Sequence, residues 1–219
     1  MKGNKVQNTS HAVMAQRFEP RNSVDNFPTP PWATRALLEK VLNFSNKKTQ
    51  SCLEPACGAG HMSKVLLEYF KTVCSSDLHK YGYGEEVDFL GSYYKPGSFD
   101  WVITNPPFKS AERFILEAQS VARIGVAVIV RTVFLESVGR YNRLFNVTPP
   151  SYVAQFSERV PMVKGRLDRR ATTATGYAWC IWEKKSAKKT GLRWIEPCRK
   201  ELERSSDYLE PISSLYNKP

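Results

Sequence analysis

SCLEPACGAGHMSKVLLEYF, the stretch from Ser51 to Phe70, decides the fold. A short strand candidate runs into Pro55, and Gly58 and Gly60 then turn the chain into a segment whose apolar residues recur at three- and four-residue intervals. That spacing is typical of an amphipathic helix. A glycine turn between a strand and a helix lets a ligand approach the backbone closely, where any side chain would block it. The stretch therefore predicts a strand–turn–helix unit that binds a ligand at its turn.

Further strand and helix candidates lie before and after this stretch. Strand and helix candidates alternate in the order 28–44 (helix), 72–77 (strand), 99–105 (strand), 110–124 (helix, with Ser110 as N-cap) and 125–131 (strand). This alternation indicates right-handed βαβ units and a mainly parallel sheet. Two aromatic-rich strand candidates, 151–156 and 175–184, have no clear helix between them and predict an antiparallel hairpin at the sheet edge. We expect a Rossmann-like α/β fold, with a mainly parallel seven-stranded sheet and helices on both faces.

Composition divides the chain into three parts. Residues 1–24 are polar and aperiodic and are expected to form a mobile arm, residues 25–184 hold the folded domain, and residues 185–219 are expected to be a basic tail. The net charge of +11 is uneven, because residues 1–130 carry 15 Lys and Arg against 12 Asp and Glu, while residues 131–219 carry 17 against 9. The asymmetry suggests a C-terminal part that faces a polyanion, although solvated lysines explain such an excess at least as often.

Several classes of protein are disfavoured. No run of about 18 apolar residues is present, so no transmembrane helix is expected. The N-terminal residues lack the apolar core of a secretory signal, and five cysteines without a CxxC pair fit reduced thiols. We therefore expect a cytoplasmic protein. The three histidines lack metal-ligand spacing with those cysteines, and no metal site is expected.

Two carboxylates flank the glycine turn. The six residues from Gly58 to Ser63 lack the third glycine that dinucleotide sites usually add. Asp77 ends the next strand candidate 17 residues after Gly60, where a carboxylate can accept ribose hydroxyls. The alternative for Asp77 is an aspartate that merely starts a loop. With Glu54 beside it, the pair disfavours a pyrophosphate and favours a ligand with a cationic centre, such as S-adenosylmethionine with its sulfonium, ammonium and ribose.

NPPF, residues Asn105–Phe108, follows the strand candidate 99–105. Each proline lacks a backbone donor and has a fixed φ, and the residue before a proline is pushed towards an extended conformation. The tetrapeptide therefore predicts a rigid turn at the C-terminal end of a strand, the edge at which open α/β sheets bind ligands. A tight turn that happens to hold an aromatic is the alternative.

The motifs DNFPTPPWATRALLE, LEPACGAG, SSD, VDF and DWVITNPPF occur in this order. In this order and spacing the chain resembles the amino-methyltransferases that use S-adenosylmethionine, most of all the adenine-N6 DNA methyltransferases. The resemblance covers residues 25–135 and, more loosely, 150–184. It implies the Rossmann-like methyltransferase fold, with residues 25–184 as the catalytic domain. It also implies S-adenosylmethionine as the cofactor.

The resemblance also implies roles for individual residues. Those that would hold the cofactor are Thr29 at the methionine carboxylate, Glu54, Ala56, Gly58 and Gly60 along the methionine half, Asp77 at the ribose, Asp88 at the adenine amine and Phe89 on the adenine ring. Core packing is the alternative for Phe89. Phe156 is our candidate for the second wall of the base pocket. No long target-recognition domain is expected after the catalytic part, which departs from the family and argues against tight sequence specificity.

The tetrapeptide suits the methylation of an exocyclic amine. The side-chain oxygen of Asn105 and the carbonyl of Pro106 can accept hydrogen bonds from the amine and localise its lone pair. Pro106 and Pro107 would fix this geometry before the substrate arrives, which is electrostatic preorganisation. Phe108 offers a flat face for a base that has been extracted from the stack.

The segment ERVPMVKGRLDRR, residues 158–170, is the candidate for gripping a phosphate backbone. Its cations are Arg159, Lys164, Arg166, Arg169 and Arg170. A solvated hairpin tip is the alternative. The leading hypothesis is methylation of adenine-N6 in DNA, and the enzyme alternative is methylation of an adenine-N6 or guanine-N2 amine in RNA. A protein glutamine methyltransferase is less favoured because a neutral substrate does not explain the basic C-terminal half. A non-catalytic nucleic-acid-binding pseudoenzyme is the alternative from another class.

Overall fold

The computed structural model describes residues 25–44, 49–185 and 189–208. The expected N-terminal arm, residues 1–24, lies outside this part of the chain. The strands in the described part are β1 (Ser51–Glu54), β2 (Thr72–Asp77), β3 (Glu85–Glu86), β4 (Phe99–Thr104), β5 (Ala122–Arg131), β6 (Tyr152–Phe156), β7 (Tyr177–Glu183) and β8 (Gly191–Ile195).

These strands form one sheet in the order β3-β2-β1-β4-β5-β7-β6-β8. β1 pairs in parallel with β2 and β4, and β4 pairs in parallel with β5. β7 is antiparallel to both β5 and β6, while β8 is parallel to β6. The expected Rossmann-like α/β class is confirmed. The described sheet has eight strands instead of the expected seven, because β8 extends it beyond the antiparallel pair.

The helices are shorter and more interrupted than the sequence pattern predicts. They are α1 (Pro31–Ala36), α2 (His61–Tyr69), α3 (Ala111–Val121), α4 (Val138–Arg140) and α5 (Arg199–Leu202). α1 continues as a π-helical turn at Leu37–Val41 and α4 as another at Tyr141–Phe145, and 3-10 turns lie at Phe89–Gly91, Thr132–Leu135 and Ser205–Tyr208.

Two apolar clusters cover the two faces of the sheet. Trp32 of α1 and Leu66 of α2 pack with Ala127 and Ile129 of β5 on one face. α3 packs its buried residues against the alternate residues of β5 on the other face. Side chains on both faces of β5 are therefore buried, as its almost continuous apolar run predicts.

The start and end of α3 differ from expectation. Ser110 occupies the N-cap position, but its side chain makes no capping hydrogen bond. The helix ends at Val121 instead of reaching residue 124. Ala122 already has extended backbone and begins β5, so the chain passes from helix to strand without a loop.

Part of the expected C-terminal tail belongs to the fold. β8 lies in the sheet beside β6, and α5 lies against α1. Only Ile195 of β8 is buried, so β8 lacks the alternation of buried apolar residues that would indicate a strand. It is a strand because its backbone pairs with that of β6. Residues 189–208 are thus folded onto the domain, whereas residues 186–188 and 209–219 lie outside the described part.

Candidate active site

A cavity of about 230 Å³ opens at the C-terminal edge of β1, β2 and β4. The residues that follow these three strands line it: 54–59 after β1, 77–79 after β2 and 105–108 after β4. Because the strands are adjacent and parallel, their C-terminal ends meet at one edge. The sheet therefore brings the glycine turn and the NPPF loop to the same cavity.

Most of the residues expected to hold a cofactor lie on this cavity. The lining includes Thr29, Glu54, Ala56, Gly58, Asp77, Asp88 and Phe89, together with Asn105, Pro106, Pro107 and Phe108. Gly60 is not part of the lining. It is the N-cap of α2 with φ +78°, and a Cβ there would lie 2.4 Å from the ring of Tyr83. In the structure Gly60 gives Tyr83 room to pack against the turn, and its role at the cofactor stays a prediction.

Asp77 shapes the glycine turn from the end of β2. Its Oδ2 accepts the backbone N–H of Gly58 at 2.9 Å, and its Oδ1 accepts that of His79 at 2.9 Å. Gly58 adopts φ +50°, a conformation that glycine reaches without steric cost. Each carboxylate oxygen still has a second lone pair. Asp77 can therefore hold the turn and accept ribose hydroxyls at once.

Glu54 is buried at the end of β1. Its carboxylate accepts the hydroxyl of Ser63 on α2, and the Ser63 Oγ lies 2.6 Å from the Ser75 Oγ. Burial and, to a smaller extent, the charge of Asp77 raise the pKa of Glu54 to about 8, against the opposing effect of the hydrogen bonds from Ser63. The Glu54 carboxyl is therefore mostly protonated at pH 7, and a cationic ligand would favour its ionised form.

Asp88 and Phe89 of the VDF motif also line the cavity. The Oδ1 of Asp88 accepts the backbone N–H of Leu90 at 2.9 Å and caps a 3-10 turn. Phe89 is 2% exposed and packs 5.1 Å from the ring centre of Phe114. Phe89 thus packs in the core and also borders the cavity.

The NPPF loop is held by the segment DNF before α1. The side-chain nitrogen of Asn105 donates to the backbone carbonyl of Phe27 at 2.8 Å and to the hydroxyl of Thr29 at 3.1 Å. The backbone N–H of Phe108 donates to the Oδ2 of Asp25 at 2.7 Å. With its nitrogen bound to the chain, the oxygen is the atom of the Asn105 amide that can accept from a substrate amine. Sequence reasoning assigned a role to Thr29, two residues after this segment, and missed Asp25 and Phe27.

Phe156 is not a wall of the cavity, contrary to expectation. It is 4% exposed and lies in the core, where its ring meets Trp32 edge-on at 5.7 Å. β6 is covered on both faces, so the side chains of Phe156 and its neighbours point into one core cluster or the other. An aromatic residue in such a strand does not indicate a binding surface.

The basic segment 158–170 borders the site. The backbone N–H of Gly165 donates to the carbonyl of Asn26 at 2.8 Å, and the sulfur of Met162 lies 3.7 Å from the side-chain nitrogen of Asn105. Arg159, Arg166, Arg169 and Arg170 are exposed, and Lys164 is half-buried. The partners of the exposed arginines are the carbonyl of Ala174 for Arg159, Asp168 for Arg166 and Glu203 for Arg169. Such exposed ion pairs contribute little to stability, so these cations remain able to meet an anionic ligand.

Two further observations concern the described residues only. Nowhere in the three described ranges do three or more His, Cys, Asp or Glu side chains come close enough to hold a metal ion. In the same ranges, every helix is too short or too polar to cross a membrane.

The sequence matches no protein-family model and no curated protein. Similar solved structures include a protein assigned as an RNA methyltransferase from Pyrococcus horikoshii, with a TM-score of 0.52 and 17% identity over 78% of this chain and 96% of that chain. The methyltransferase subunit of a type I restriction-modification system from Streptococcus thermophilus has a TM-score of 0.58 and 12% identity over 89% of this chain and 52% of that chain. A modification subunit assigned to a type I restriction enzyme from Vibrio vulnificus has a TM-score of 0.53 and 14% identity over 90% of this chain and 53% of that chain.

These likenesses define a fold class. The chain has the fold of the methyltransferases, with the C-terminal edge of its parallel strands forming the cavity. At 12–17% identity the likeness concerns the fold alone. The chain spans about half of the length of the two restriction-modification subunits, at 53% and 52%.

Proposed function

We propose that this protein transfers a methyl group from S-adenosylmethionine to the exocyclic N6 amine of adenine in DNA. The observation that carries the proposal is the arrangement of Asn105. Its amide nitrogen is bound to Phe27 and Thr29, so its oxygen is left as an acceptor beside the cavity that the glycine turn also lines. An acceptor fixed in this way is what an amine needs at the moment of transfer.

The residues of the cavity fit the cofactor. S-adenosylmethionine, when bound, supplies an electrophilic methyl group on a positively charged sulfur. Glu54 and Asp77 place two carboxyl groups on the same cavity, which suits a ligand that carries positive charge and a ribose. Gly58 lines the same cavity with backbone alone, so no side chain there keeps a ligand away from the turn. The negative charge of Asp77, to which Glu54 adds when it is ionised, would repel a pyrophosphate, so a dinucleotide fits the site less well.

The NPPF loop supports methylation of an amine. The oxygen of Asn105 and the carbonyl of Pro106 can each accept one hydrogen of an exocyclic NH₂ group. Accepting both hydrogens draws the nitrogen towards a tetrahedral geometry and directs its lone pair at the methyl group. Asp25 holds the backbone N–H of Phe108, so the loop geometry exists before substrate binds. Positioning alone can then supply a large part of the rate.

The choice of a nucleic acid rests on charge beside the site. The cations of residues 158–170 follow β6 on a segment that contacts both Asn26 and Asn105. A phosphate backbone bound there would bring its bases next to the NPPF loop. The solved structures that share the fold include a protein assigned as an RNA methyltransferase as well as subunits of type I restriction-modification systems, so DNA and RNA are tested side by side.

The direct test is incubation of the protein with methyl-labelled S-adenosylmethionine and with DNA, RNA and protein in separate reactions. We expect label in DNA. After digestion of that DNA to nucleosides, the label should be in N6-methyldeoxyadenosine. Label in RNA alone would show that the substrate is an exocyclic amine in RNA instead of DNA. Cofactor binding without transfer to any pool would favour the non-catalytic alternative.

Asp77→Ala should weaken S-adenosylmethionine binding by about 1–3 kcal/mol, because it removes the carboxylate that is proposed to accept ribose hydroxyls. Calorimetric titration measures the change. Asp77→Asn keeps the size of the side chain and one acceptor oxygen, so its loss should be smaller. Unchanged affinity of both variants, with unchanged thermal midpoints, would remove Asp77 from the cofactor site.

Cofactor affinity should rise with pH as Glu54 ionises. The Glu54 pKa of about 8 means that binding of a cation below this pH must release the proton. Affinity should therefore increase by up to about tenfold for each pH unit towards that pKa and lose this dependence above it. The ammonium group of the ligand titrates in the same range, so Glu54→Gln, which is uncharged throughout, is the required comparison. Calorimetry in buffers of different ionisation enthalpy should show extra proton release for the parent protein alone, and equal proton release in both would contradict the proposal.

Neutralising Arg159, Arg166 and Arg170 together should flatten the salt dependence of DNA binding. The slope of log K against log salt should fall in magnitude by about 0.9 for each phosphate that the variant no longer neutralises. Replacing Lys71, Lys95 and Arg123 is the matched control, because these exposed cations lie near the N-terminal ends of the parallel strands. Equal slopes for the two triple variants would identify segment 158–170 as a solvated hairpin tip.

A further inference from the structure

The proposed base site lacks the second wall that Phe156 was expected to form. Phe108 lines the cofactor cavity, and two side chains meet its ring. The ring of Phe27 lies 5.3 Å away at a tilt of 39°, and the guanidinium of Arg131 lies 3.9 Å from the ring centre. Arg131 is thus much closer to a stacked position than Phe27.

Arg131 reaches Phe108 from outside the cofactor cavity. It is the last residue of β5, which is adjacent and parallel to β4, and the NPPF loop follows β4 directly. Phe108 is part of the cavity lining, whereas Arg131 is not. The guanidinium therefore covers a face of the Phe108 ring without being part of the cavity lining.

The guanidinium of Arg131 is held by weak contacts. Tyr177 faces Arg131 across the β5–β7 pair. Burial raises the pKa of Tyr177, and the charge and hydrogen bond of Arg131 oppose that rise. Among the described residues no carboxylate forms an ion pair with Arg131, and its buried Nε has no hydrogen-bond partner. A cation held mainly by ring faces can be moved at low cost.

We infer that Arg131 is the second wall of the base pocket, so that the extracted base lies between its guanidinium and the ring of Phe108. This inference rests on the proposed function. Bases stack on guanidinium planes as well as on aromatic rings. The guanidinium lies 3.9 Å from the centre of the Phe108 ring, so it must move back by about the thickness of one ring for a base to enter between them. Its unpaired Nε–H then has a base edge or a phosphate within reach.

The test separates the flat face of Arg131 from its charge. Single-turnover methyl transfer is measured for Arg131→Ala, Arg131→Lys and Arg131→Phe with the nucleic acid that the parent protein labels, and cofactor affinity is measured alongside. Loss of one stacking face should lower the rate of Arg131→Ala about tenfold or more while cofactor affinity stays unchanged. Arg131→Phe restores a flat face and should recover most of the rate, whereas Arg131→Lys restores only the charge and should not.

Arg123→Ala is the matched control. Arg123 lies at the opposite end of β5 and pairs with Asp100 at the surface, so its replacement should leave the rate unchanged. A parental rate for Arg131→Ala would overturn the inference. So would recovery by Arg131→Lys without recovery by Arg131→Phe, or a loss of cofactor affinity that equals the loss of rate. An active parent protein with unaffected Arg131 variants would refute only this inference, whereas a parent protein that labels no nucleic acid would refute the proposed function as well.

Discussion

Asn105→Ala should lower the single-turnover rate of methyl transfer by about 100-fold or more, with a much smaller effect on substrate affinity. The variant removes an acceptor whose contact with the amine strengthens as the methyl group transfers, and loss of one preorganised hydrogen bond of this kind costs about this much in rate. Rapid-quench measurement with saturating labelled cofactor gives the rate, and equilibrium titration gives the affinity.

Two further substitutions at Asn105 test whether the rate depends on the position of the amide oxygen and on the amide nitrogen that donates to Phe27. Asn105→Gln keeps the amide but moves its oxygen by about one bond length, and a misplacement of about 1 Å can cost on the order of 100-fold. Asn105→Asp places a carboxylate oxygen where the amide nitrogen now donates to the carbonyl of Phe27, so it should also be slow. Methylation by Asn105→Ala at the parental rate would refute the proposed mechanism, whatever the fold resembles.

Arg35→Ala should destabilise the protein by about 3–5 kcal/mol, because it leaves a buried carboxylate without its partner. Arg35 is 3% exposed and makes five hydrogen bonds, to Glu68, Asp207 and the backbone carbonyl of Leu202. Burial alone would lower the pKa of Arg35, but Asp207 and Glu68 raise it above its ordinary value. Likewise, burial would raise the pKa of Asp207, but Arg35 holds it below its usual range.

Urea denaturation with linear extrapolation measures the loss of stability. Arg123→Ala breaks an ion pair with Asp100 in which the arginine side chain is 54% exposed, so it should cost only about 0–1 kcal/mol. A similarly small loss for Arg35→Ala would mean that the segment around Asp207 contributes nothing to the stability of the domain.

The sequence predicts the part of the site that depends on backbone pattern. The glycine turn after β1, Asp77 at the end of β2 and the NPPF loop after β4 all follow strands, and parallel strands end at one edge. The position of these residues therefore follows from the strand pattern alone. The burial of β5 follows in the same way, because its run of apolar residues fits a strand that is covered on both faces.

Features that depend on tertiary contacts were not predictable in this way. Phe156 lies on a strand with two buried faces, and its residue type does not tell which surface it meets. β8 carries mostly exposed side chains, so its place in the sheet comes from hydrogen bonding to β6 and not from an apolar pattern. In the sequence Arg131 is simply the polar end of a strand, and only the adjacency of β4 and β5 places it over Phe108.

The position of β7 between β5 and β6 also sets the order in which the protein can assemble on the ribosome. β5 ends at Arg131, but its partner β7 begins only at Tyr177. Asp207, the ion-pair partner of Arg35, is made 172 residues after Arg35. At elongation rates of about 5–20 residues per second, Arg35 is without this partner for roughly 10–35 s. During synthesis the long apolar β5 presents an unpaired edge, which favours pairing with other chains. That edge is the surface a chaperone would need to cover until β7 has emerged.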